Sequence, residues 1–295
     1  MNHPMDRREF LKLAGLGGVV LVSGGAGLSR AAQGSDFYFV QLSDSHWGFE
    51  GPAQNPDATG TLKKAVAAVN SLKEPPDFIV FTGDLTHTTE DGKIRRKRLD
   101  EFRSIVSELK VKDVKFMPGE HDASLDHGKA FQEFFGQTHY TFDHKGVHFI
   151  TLDNVSDPGA SIGEDQLAWL AKDLARQPAD ARIVVLTHRP LFDLYPQWDW
   201  ATTDGAKAIE ILQTRDNVTV FYGHIHQEHH HTTGKIEHHA AKGLMFALPA
   251  PGSQLKRTPV NWDAAAPYKG LGWREIEAEA RPVKYELTEL PVVAA

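Results

Sequence analysis

Five short apolar segments constrain the fold of this chain more than any other feature of its sequence. Each is rich in β-branched and aromatic residues and has the length of a buried strand. The segments cover residues 37–42, 78–82, 114–117, 183–186 and 218–222. Apolar residues at helical spacing recur between them, so the sequence predicts alternating strands and helices. This pattern indicates a mixed α/β domain.

The predicted helices and the remaining strands complete this outline. Helices are predicted at residues 62–72, 99–109, 167–174 and 204–213. Further strands, with no helices between them, are predicted at residues 140–142, 147–153, 244–248, 273–278 and 283–287. Because no internal repeat, low-complexity segment or linker interrupts this pattern, we expect one domain over residues 36–290.

Composition narrows the classes of function. The 295 residues include 41% hydrophobic and 24% charged residues, which is ordinary for a soluble globular protein. The formal net charge is -7, so we expect neither nucleic acid nor an anionic membrane as a general partner. Cysteine is absent and histidine occurs 16 times, so a transition-metal site would have to use imidazole and carboxylate ligands.

Residues 1–31 resemble a twin-arginine export signal. Arg7 and Arg8 precede Phe-Leu-Lys, a Gly-rich apolar stretch follows at residues 13–28, and small residues offer a cleavage point near Ala31. The alternative is a membrane anchor, but a spanning helix needs about 20 apolar residues, more than this stretch contains. We therefore expect the export machinery as a partner, a periplasmic or other extracytoplasmic location, and no stable membrane anchor.

Acidic residues and histidines follow all five predicted strands. These five groups are Asp44-Ser45-His46, Gly83-Asp84, Gly119-Glu120-His121-Asp122, Thr187-His188 and Gly223-His224-Ile225-His226. In open α/β sheets the ligand site lies beyond the carboxyl ends of the strands. We therefore expect these side chains to meet at one site.

The spacing within these groups suits a metal centre. In extended chain, residues two apart point the same way, so Asp44 and His46 can face one centre, as can His224 and His226. Carboxylate oxygen and imidazole nitrogen suit zinc, iron(II) and manganese. Several such ligands from separate strands favour two ions about 3.5–4 Å apart, as in binuclear hydrolases.

The order Asp-x-His, Gly-Asp, Gly-x-His-Asp, His, Gly-His-x-His resembles the calcineurin-like metallophosphoesterase family. The resemblance covers roughly residues 36–250. It implies a four-layer αββα sandwich, in which two mixed β-sheets are flanked by helices, whereas the strand pattern alone gives only a mixed α/β domain. It also implies a binuclear enzyme that hydrolyses small phosphate esters with the help of two divalent ions, manganese, zinc or iron.

The resemblance further implies a role for each residue of the five groups. Its metal ligands would be Asp44, His46 and His226 for one ion, His188, His224 and Glu120 for the other, and Asp84 as the bridge between them. His121 would give a proton to the leaving group, and Asp122 would orient His121. Alternatives are a non-catalytic metal-binding scaffold on the same fold and a metallohydrolase that acts on another kind of ester.

Two positions depart from the patterns of related enzymes. Glu120 stands where the family usually has asparagine, and its extra negative charge predicts a bias towards monoanionic diesters or a trivalent iron. The alternative is that Glu120 turns away and a water replaces it. His87 lies three residues after Asp84, where purple acid phosphatases have an iron-binding tyrosine, which favours the cyclic-nucleotide phosphodiesterase-like branch.

Four weaker features each allow two interpretations. The basic run at residues 93–98 either steers an anionic substrate or begins a solvated helix, and we favour the helix. Arg189 either contacts phosphate or is a surface residue, and we favour the surface. The aromatic residues within 195–200 line a pocket or pack within their loop. The histidines at 229–231 and 238–239 bind a third metal or lie exposed on a hairpin, and we favour the hairpin.

Overall fold

The computed structural model describes residues 20–24, 36–280 and 284–293, and its strands form two six-stranded sheets. The strands are β1 (Val20–Gly24), β2 (Phe37–Leu42), β3 (Phe78–Thr82), β4 (Val114–Met117), β5 (Tyr140–His144), β6 (Val147–Thr151), β7 (Arg182–Leu186), β8 (Val218–Tyr222), β9 (His229–Thr233), β10 (Ile236–Ala240), β11 (Gly272–Glu279) and β12 (Lys284–Pro291). The first sheet has the order β1-β12-β11-β2-β3-β4, and the second has the order β5-β6-β7-β8-β10-β9.

Six α-helices accompany these sheets in the part of the chain that the structure describes. They are α1 (Thr61–Asn70), α2 (Gly92–Val106), α3 (Glu120–Ala123), α4 (Lys129–Phe135), α5 (Glu164–Arg176) and α6 (Gly205–Leu212). Buried residues of α1 and α2 form one core with β2 and β3, and those of α5 and α6 form another with β7 and β8. None of the described helices is both long and apolar enough to cross a membrane.

A third core lies between the two sheets and explains why four of the five strand segments, all except β4, are buried along nearly their whole length. In β2, Val40 and Leu42 pack towards the helices, whereas Phe37 and Phe39 face the other sheet. The Phe39 ring meets that of Phe149 of β6 edge-on, with centroids 5.7 Å apart. Strands buried on both faces lose the alternation of apolar and polar residues. The four-layer αββα sandwich of two mixed sheets is therefore confirmed.

Strand direction places the site at one edge of this sandwich. Strands β2, β3 and β4 are parallel neighbours in the first sheet, and β6, β7, β8 and β10 are parallel neighbours in the second. All five of the acid and histidine groups follow a strand of one of these two sets. They come together where the carboxyl ends of both sets meet.

Two local features differ from the expectations, and a third agrees with them. Residues 244–248, expected as a strand, form a buried loop, because Leu244 donates its backbone N–H to the carbonyls of Ser43 and Asp44 instead of to a strand. The short helices α3 and α4 were not expected from the apolar pattern. The hairpin favoured for the histidine-rich segment is present, because β9 and β10 pair antiparallel.

Little of the expected export signal can be compared with the structure. Residues 20–24 form β1, which pairs antiparallel with β12. The rest of residues 1–31, including the arginine pair, lies outside the described residues.

Candidate metal centre

The turns after the strands hold the candidate ligands in unusual backbone conformations. Five of the seven predicted ligands have positive φ angles between 39° and 65°, namely Asp44, His46, Asp84, His224 and His226. Non-glycine residues adopt this left-handed region rarely, at a cost of roughly 1–3 kcal/mol each. Backbone hydrogen bonds offset this strain: the N–H of His46 donates to the Asp84 carbonyl across 2.9 Å. Strain concentrated in this way is typical of functional sites.

Four of the predicted ligands form one cluster, which we call site A: Asp44, His46, Asp84 and His226. The Nε2 atoms of His46 and His226 lie 3.1 Å apart. His226 Nε2 is 3.2 Å from Asp44 Oδ1, and His46 Nε2 is 3.4 Å from Asp84 Oδ2. Two nitrogens and two carboxylates around one small space match the ligand set of zinc, iron or manganese.

A second cluster, site B, consists of Asp84, Glu120, His188 and His224. His188 Nε2 lies 3.4 Å from Asp84 Oδ2 and 2.9 Å from Glu120 Oε2. His224 Nδ1 lies 2.9 Å from Glu120 Oε1. Glu120 is therefore turned into the site and not away from it. Asp84 belongs to both clusters, and its Oδ2 atom approaches a histidine of each, which is the position of a bridging ligand.

Hydrogen bonds orient two of the candidate histidine ligands towards the sites. His188 donates its Nδ1–H to the Thr82 carbonyl across 2.7 Å, and His226 donates its Nδ1–H to the Phe246 carbonyl across 2.6 Å. Because a carbonyl can only accept, Nδ1 keeps its proton, and each ring in its neutral form has its lone pair on Nε2, which faces the site. The Nε2 of His188 and the Oε2 of Glu120 are buried and, although 2.9 Å apart, form no aligned hydrogen bond with each other or with any other described residue. These unsatisfied atoms fit a bound metal pair.

Electrostatics favours charged carboxylates in the site. Burial alone would raise the pKa of Asp44, but His226 and His188 hold that pKa below its ordinary value. Burial likewise opposes ionisation of Glu120, but His224 and His188 hold its pKa well below the ordinary value. Both carboxylates are therefore ionised at neutral pH and available to a cation.

Within each site, one imidazole has a lowered pKa (His46 in site A, His224 in site B) and the other has a raised pKa (His226 in site A, His188 in site B). Burial, helped by the neighbouring His121 and His226, lowers the pKa of His46 well below its ordinary value, so His46 is a neutral ligand. Burial also lowers the pKa of His188, but Asp84 and Glu120 outweigh it and raise that pKa well above its ordinary value. A metal ion that binds His188 must displace this proton.

His121 lies beside site A, half-buried. Its ring meets that of His46 edge-on, with centroids 4.6 Å apart, and stacks on that of His87 at 4.8 Å. Its Nδ1 accepts a hydrogen bond from the backbone N–H of Thr88 across 3.1 Å. Nδ1 therefore carries no proton, and the ring proton sits on Nε2. This leaves Nε2–H as the group that can donate to a substrate.

Asp122 does not orient His121, which corrects the expectation from the sequence. The carboxylate of Asp122 accepts hydrogen bonds from the backbone N–H groups of Gly119, Leu85 and Thr86, at 2.8–3.0 Å. Burial, with Asp84 nearby, raises the pKa of Asp122 to about 6. Asp122 therefore fixes the turns after β3 and β4 against each other, and the orientation of His121 comes from Thr88.

The structure also decides between the two interpretations of Arg189, of the aromatic residues at 195–200 and of the basic run at 93–98. Arg189 is buried and holds its own loop, since its Nε donates to the Ala201 carbonyl across 3.1 Å. It is therefore neither a surface residue nor, in this arrangement, a phosphate contact. Trp198 and Trp200 are buried in a cluster with Tyr222, so they pack within the protein. The basic run begins α2, as expected, but two of its arginines contact the loop that precedes the helix.

The histidine-rich hairpin is only partly as expected. His231 is exposed, but His238 and His239 are buried, which contradicts their expected exposure. The Nδ1 atoms of His230 and His239 lie 2.7 Å apart. Among the described residues, no three side chains of this hairpin form a group that could hold a metal ion.

One residue of the site was missed from the sequence. The Phe246 ring stacks on the rings of His46 and His226, with centroids 4.9 Å and 4.5 Å apart, and its carbonyl orients His226. The apolar run that contains Phe246 was a visible signal, but it was interpreted as a strand.

Comparison with known proteins agrees with this geometry. The family model for calcineurin-like phosphoesterases matches residues 37–228. A probable cyclic nucleotide phosphodiesterase of Rhodopseudomonas palustris is 29% identical over 70% of this chain and 77% of its own length. A probable glycerophosphodiester phosphodiesterase of Arcobacter nitrofigilis is 30% identical over 51% of this chain and 56% of its own. A serine/threonine-protein phosphatase of Mus musculus is 28% identical over 65% of this chain and 70% of its own length.

Solved structures share the fold. A dimetal phosphatase from Danio rerio superposes with a TM-score of 0.61 over 87% of this chain and 96% of its own, at 14% identity. The family match covers most of the chain and includes all seven candidate metal ligands. The chain therefore belongs to the calcineurin-like phosphoesterase family, a family of hydrolases that act on phosphoric ester bonds.

Proposed function

We propose that this protein is an exported two-metal phosphodiesterase that cleaves small phosphodiesters. The observation that carries the proposal is the pair of ligand clusters that share Asp84, with the carboxylate of Glu120 turned into site B. Two of the relatives are named as probable phosphodiesterases, one for cyclic nucleotides and one for glycerophosphodiesters. Both compounds are monoanionic diesters, and both belong in a substrate panel.

The residues have distinct tasks in the proposed reaction. Bound at the two sites, a pair of divalent ions would activate water and neutralise charge on the phosphoryl group. Asp44, His46 and His226 would hold the ion of site A, and His188, His224 and Glu120 that of site B, with Asp84 between them. His121 would donate from Nε2 to the departing oxygen, a contribution of roughly 10²–10⁴ in rate where it operates.

Glu120 supports the preference for diesters. With Asp44, Asp84 and one hydroxide it brings four negative charges, which cancel the charge of two divalent ions. An asparagine at this position would leave one positive charge. A neutral centre attracts a dianionic monoester less strongly, so a monoanionic diester competes better. A trivalent ion at site B would restore one positive charge, which makes iron a candidate there.

The test is hydrolysis of bis(p-nitrophenyl) phosphate beside p-nitrophenyl phosphate, with protein loaded with manganese, zinc or iron. The control is Asp84→Asn, which removes the bridging carboxylate. Metal-dependent turnover that is lost in this variant, with the diester cut faster than the monoester, supports the proposal. Faster monoester cleavage would refute the diester preference. Two bound ions without turnover on any member of the panel would favour a narrow substrate outside the panel, whereas neither turnover nor bound metal would favour a non-catalytic scaffold.

Export is the second part of the proposal. It is supported by Arg7 and Arg8 before a short Gly-rich apolar stretch in the sequence. Since the twin-arginine route carries folded proteins, the metals would be bound before transport. Replacing both arginines by lysine keeps the charge, and we expect the full-length precursor to remain in the cytoplasm of a twin-arginine-competent bacterium. Equal export of the wild-type and lysine forms, measured by cell fractionation, would refute this route.

A further inference from the structure

The segment of residues 85–89, which we call the His87 loop, determines how His121 is presented. It joins the end of β3 to the start of α2. The Thr88 N–H donates to His121 Nδ1, and the His87 ring stacks on the His121 ring. A small rotation of this loop would remove both contacts. The contacts that fix the His87 loop therefore also fix the orientation of the His121 ring.

Two arginines of α2 hold the loop by its carbonyls. Arg98 donates from Nη1 to the carbonyls of His87 and Thr88, at 2.8 Å and 3.0 Å. One turn earlier, Arg95 donates from Nη2 to the Thr89 carbonyl across 2.9 Å. Three successive carbonyls of the loop thus bind guanidinium groups of one helix. Hydrogen bonds to a charged donor are stronger than those between neutral groups.

The opposite side of the loop is held by the turn that carries His46. The His87 N–H donates to the Trp47 carbonyl across 2.9 Å. Gly48 follows with φ +89°, and a Cβ on Gly48 would lie 2.4 Å from Arg98 Nε. The missing side chain is what allows the Arg98 guanidinium to reach the loop. The loop is therefore fixed between the His46 turn and α2.

Peptide geometry connects Arg98 to His121. The carbonyl of His87 and the N–H of Thr88 belong to the same planar trans peptide, so they point in opposite directions. Arg98 fixes the carbonyl, and the N–H on the other side of the same plane then points at His121 Nδ1. Arg98 itself makes no hydrogen bond to His121 and acts only through this peptide.

We infer that Arg98 is a positioning residue for His121, which it holds as the Nε2–H tautomer aimed at the leaving group. The inference rests on the proposed function for the role of His121 in turnover. The orientation of the ring can be tested without turnover.

The first experiment compares Arg98→Met with Arg96→Met on two diesters, one with a p-nitrophenyl and one with an alkyl leaving group. Arg96 is a matched control, because it lies on the same helix but pairs with Glu133, away from the His87 loop. Only an alkoxide needs a donor to depart. We expect Arg98→Met to lower kcat for the alkyl substrate about tenfold. For the p-nitrophenyl substrate we expect kcat to fall less than threefold. KM and the metal content should stay unchanged, and Arg98→Lys should restore part of the lost kcat.

Coupling to His121 separates positioning from a general structural role. In a His121→Gln background, Arg98→Met should cause no further loss on the alkyl substrate, because the group it positions is already absent. Equal losses on both substrates, or independent and additive losses from the two changes, would overturn the inference.

The second experiment reads the tautomer directly. Imidazole ¹⁵N resonances of the protein with both metals bound, assigned with His121→Gln, should show the Nε2–H form of His121 in the wild type and in Arg96→Met. In Arg98→Met we expect a mixture of both tautomers. An unchanged Nε2–H tautomer in Arg98→Met would overturn the inference even if the protein hydrolyses no diester. Absence of diester turnover with the expected tautomer change would refute the proposed function alone.

Discussion

His188 donates its Nδ1–H to the backbone carbonyl of Thr82, across 2.7 Å. His188 follows β7 of one sheet and Thr82 ends β3 of the other, so this bond joins the two sheets at the candidate metal centre. It also keeps Nδ1 protonated, so that Nε2, which faces site B, is the nitrogen that can bind a metal ion once its proton is displaced. The packing of the two sheets and the geometry of the ligands are therefore one property of the fold.

The first prediction uses the glycine beside this bond. A Cβ on Gly83 would lie 2.2 Å from His188 Nδ1, and Gly83 has φ +92°. Gly83→Ala should therefore displace His188 and lower the affinity of site B for metal by about 10–100-fold. Gly136→Ala is the control, because Gly136 has φ +85° but nothing within 4 Å of a Cβ. Both variants carry backbone strain of roughly 1–3 kcal/mol, because both positions have positive φ. Equal metal content in the two variants, measured by elemental analysis after dialysis, would contradict the prediction.

Replacement of Glu120 tests the charge of site B. Glu120→Asn removes one negative charge, so the centre should attract dianionic monoesters more strongly. We expect the ratio of kcat/KM for the diester to that for the monoester to fall about tenfold. Glu120→Gln is the matched variant, because it keeps the side-chain length and also removes the charge. If both variants leave the ratio and the metal content unchanged, the charge of Glu120 does not set the preference.

The Phe246 ring packs against two candidate ligands of site A, His46 and His226. Phe246→Ala removes the ring that stacks on His46 and His226 but keeps the carbonyl that orients His226. We expect weaker binding at site A by about tenfold and a loss of stability of about 3–5 kcal/mol, as for a buried aromatic ring. Phe102→Leu is the control, because Phe102 is buried in the core beside Phe81, away from the metal centre. The prediction fails if metal titrations give the two variants the same affinity.

The sequence was sufficient to predict which candidate ligands come together, because each group of them is encoded locally. Each group directly follows an apolar strand, and pairs such as Asp44 and His46 are two residues apart. The parallel strands then carry these groups to one edge of the sandwich. The four-layer arrangement is harder to predict from the sequence, because the sequence of a strand buried on both faces does not show whether a helix or a sheet covers each face. It came from the resemblance to the family.

Contacts distant in sequence explain what the sequence did not predict. The His226–Phe246 hydrogen bond joins residues 20 apart through a loop that is apolar because it is buried. Asp122 was expected to contact its neighbour His121, but its oxygens are bound by amides of the β3 turn, 36 and 37 residues away. Arg98 reaches the His87 carbonyl only because α2 packs against the loop that precedes it. Such pairings follow from tertiary packing and leave no periodic pattern.

The last prediction concerns stability in acid and the buried His238. His238 is fully buried, and neither ring nitrogen has a hydrogen-bond partner among the described residues. Burial, with His231 and His239 nearby, lowers its pKa from 6.5 to about 3. The unfolded chain therefore takes up a proton as the pH falls below about 6.5, whereas the folded protein does not until about pH 3. The folded state thus loses stability across this window, by about 1.4 kcal/mol for each pH unit.

His238→Leu should remove this dependence. Between pH 7.5 and pH 5 the wild-type protein should lose about 2 kcal/mol more of its free energy of unfolding than the variant does. Urea denaturation of both proteins in the presence of a chelator measures the difference without a contribution from metal release. Since the other buried histidines titrate in both proteins, their effect cancels in the comparison. Parallel stability curves would show that His238 is protonated at a similar pH in the folded and unfolded chains, and that its burial costs the protein nothing in acid.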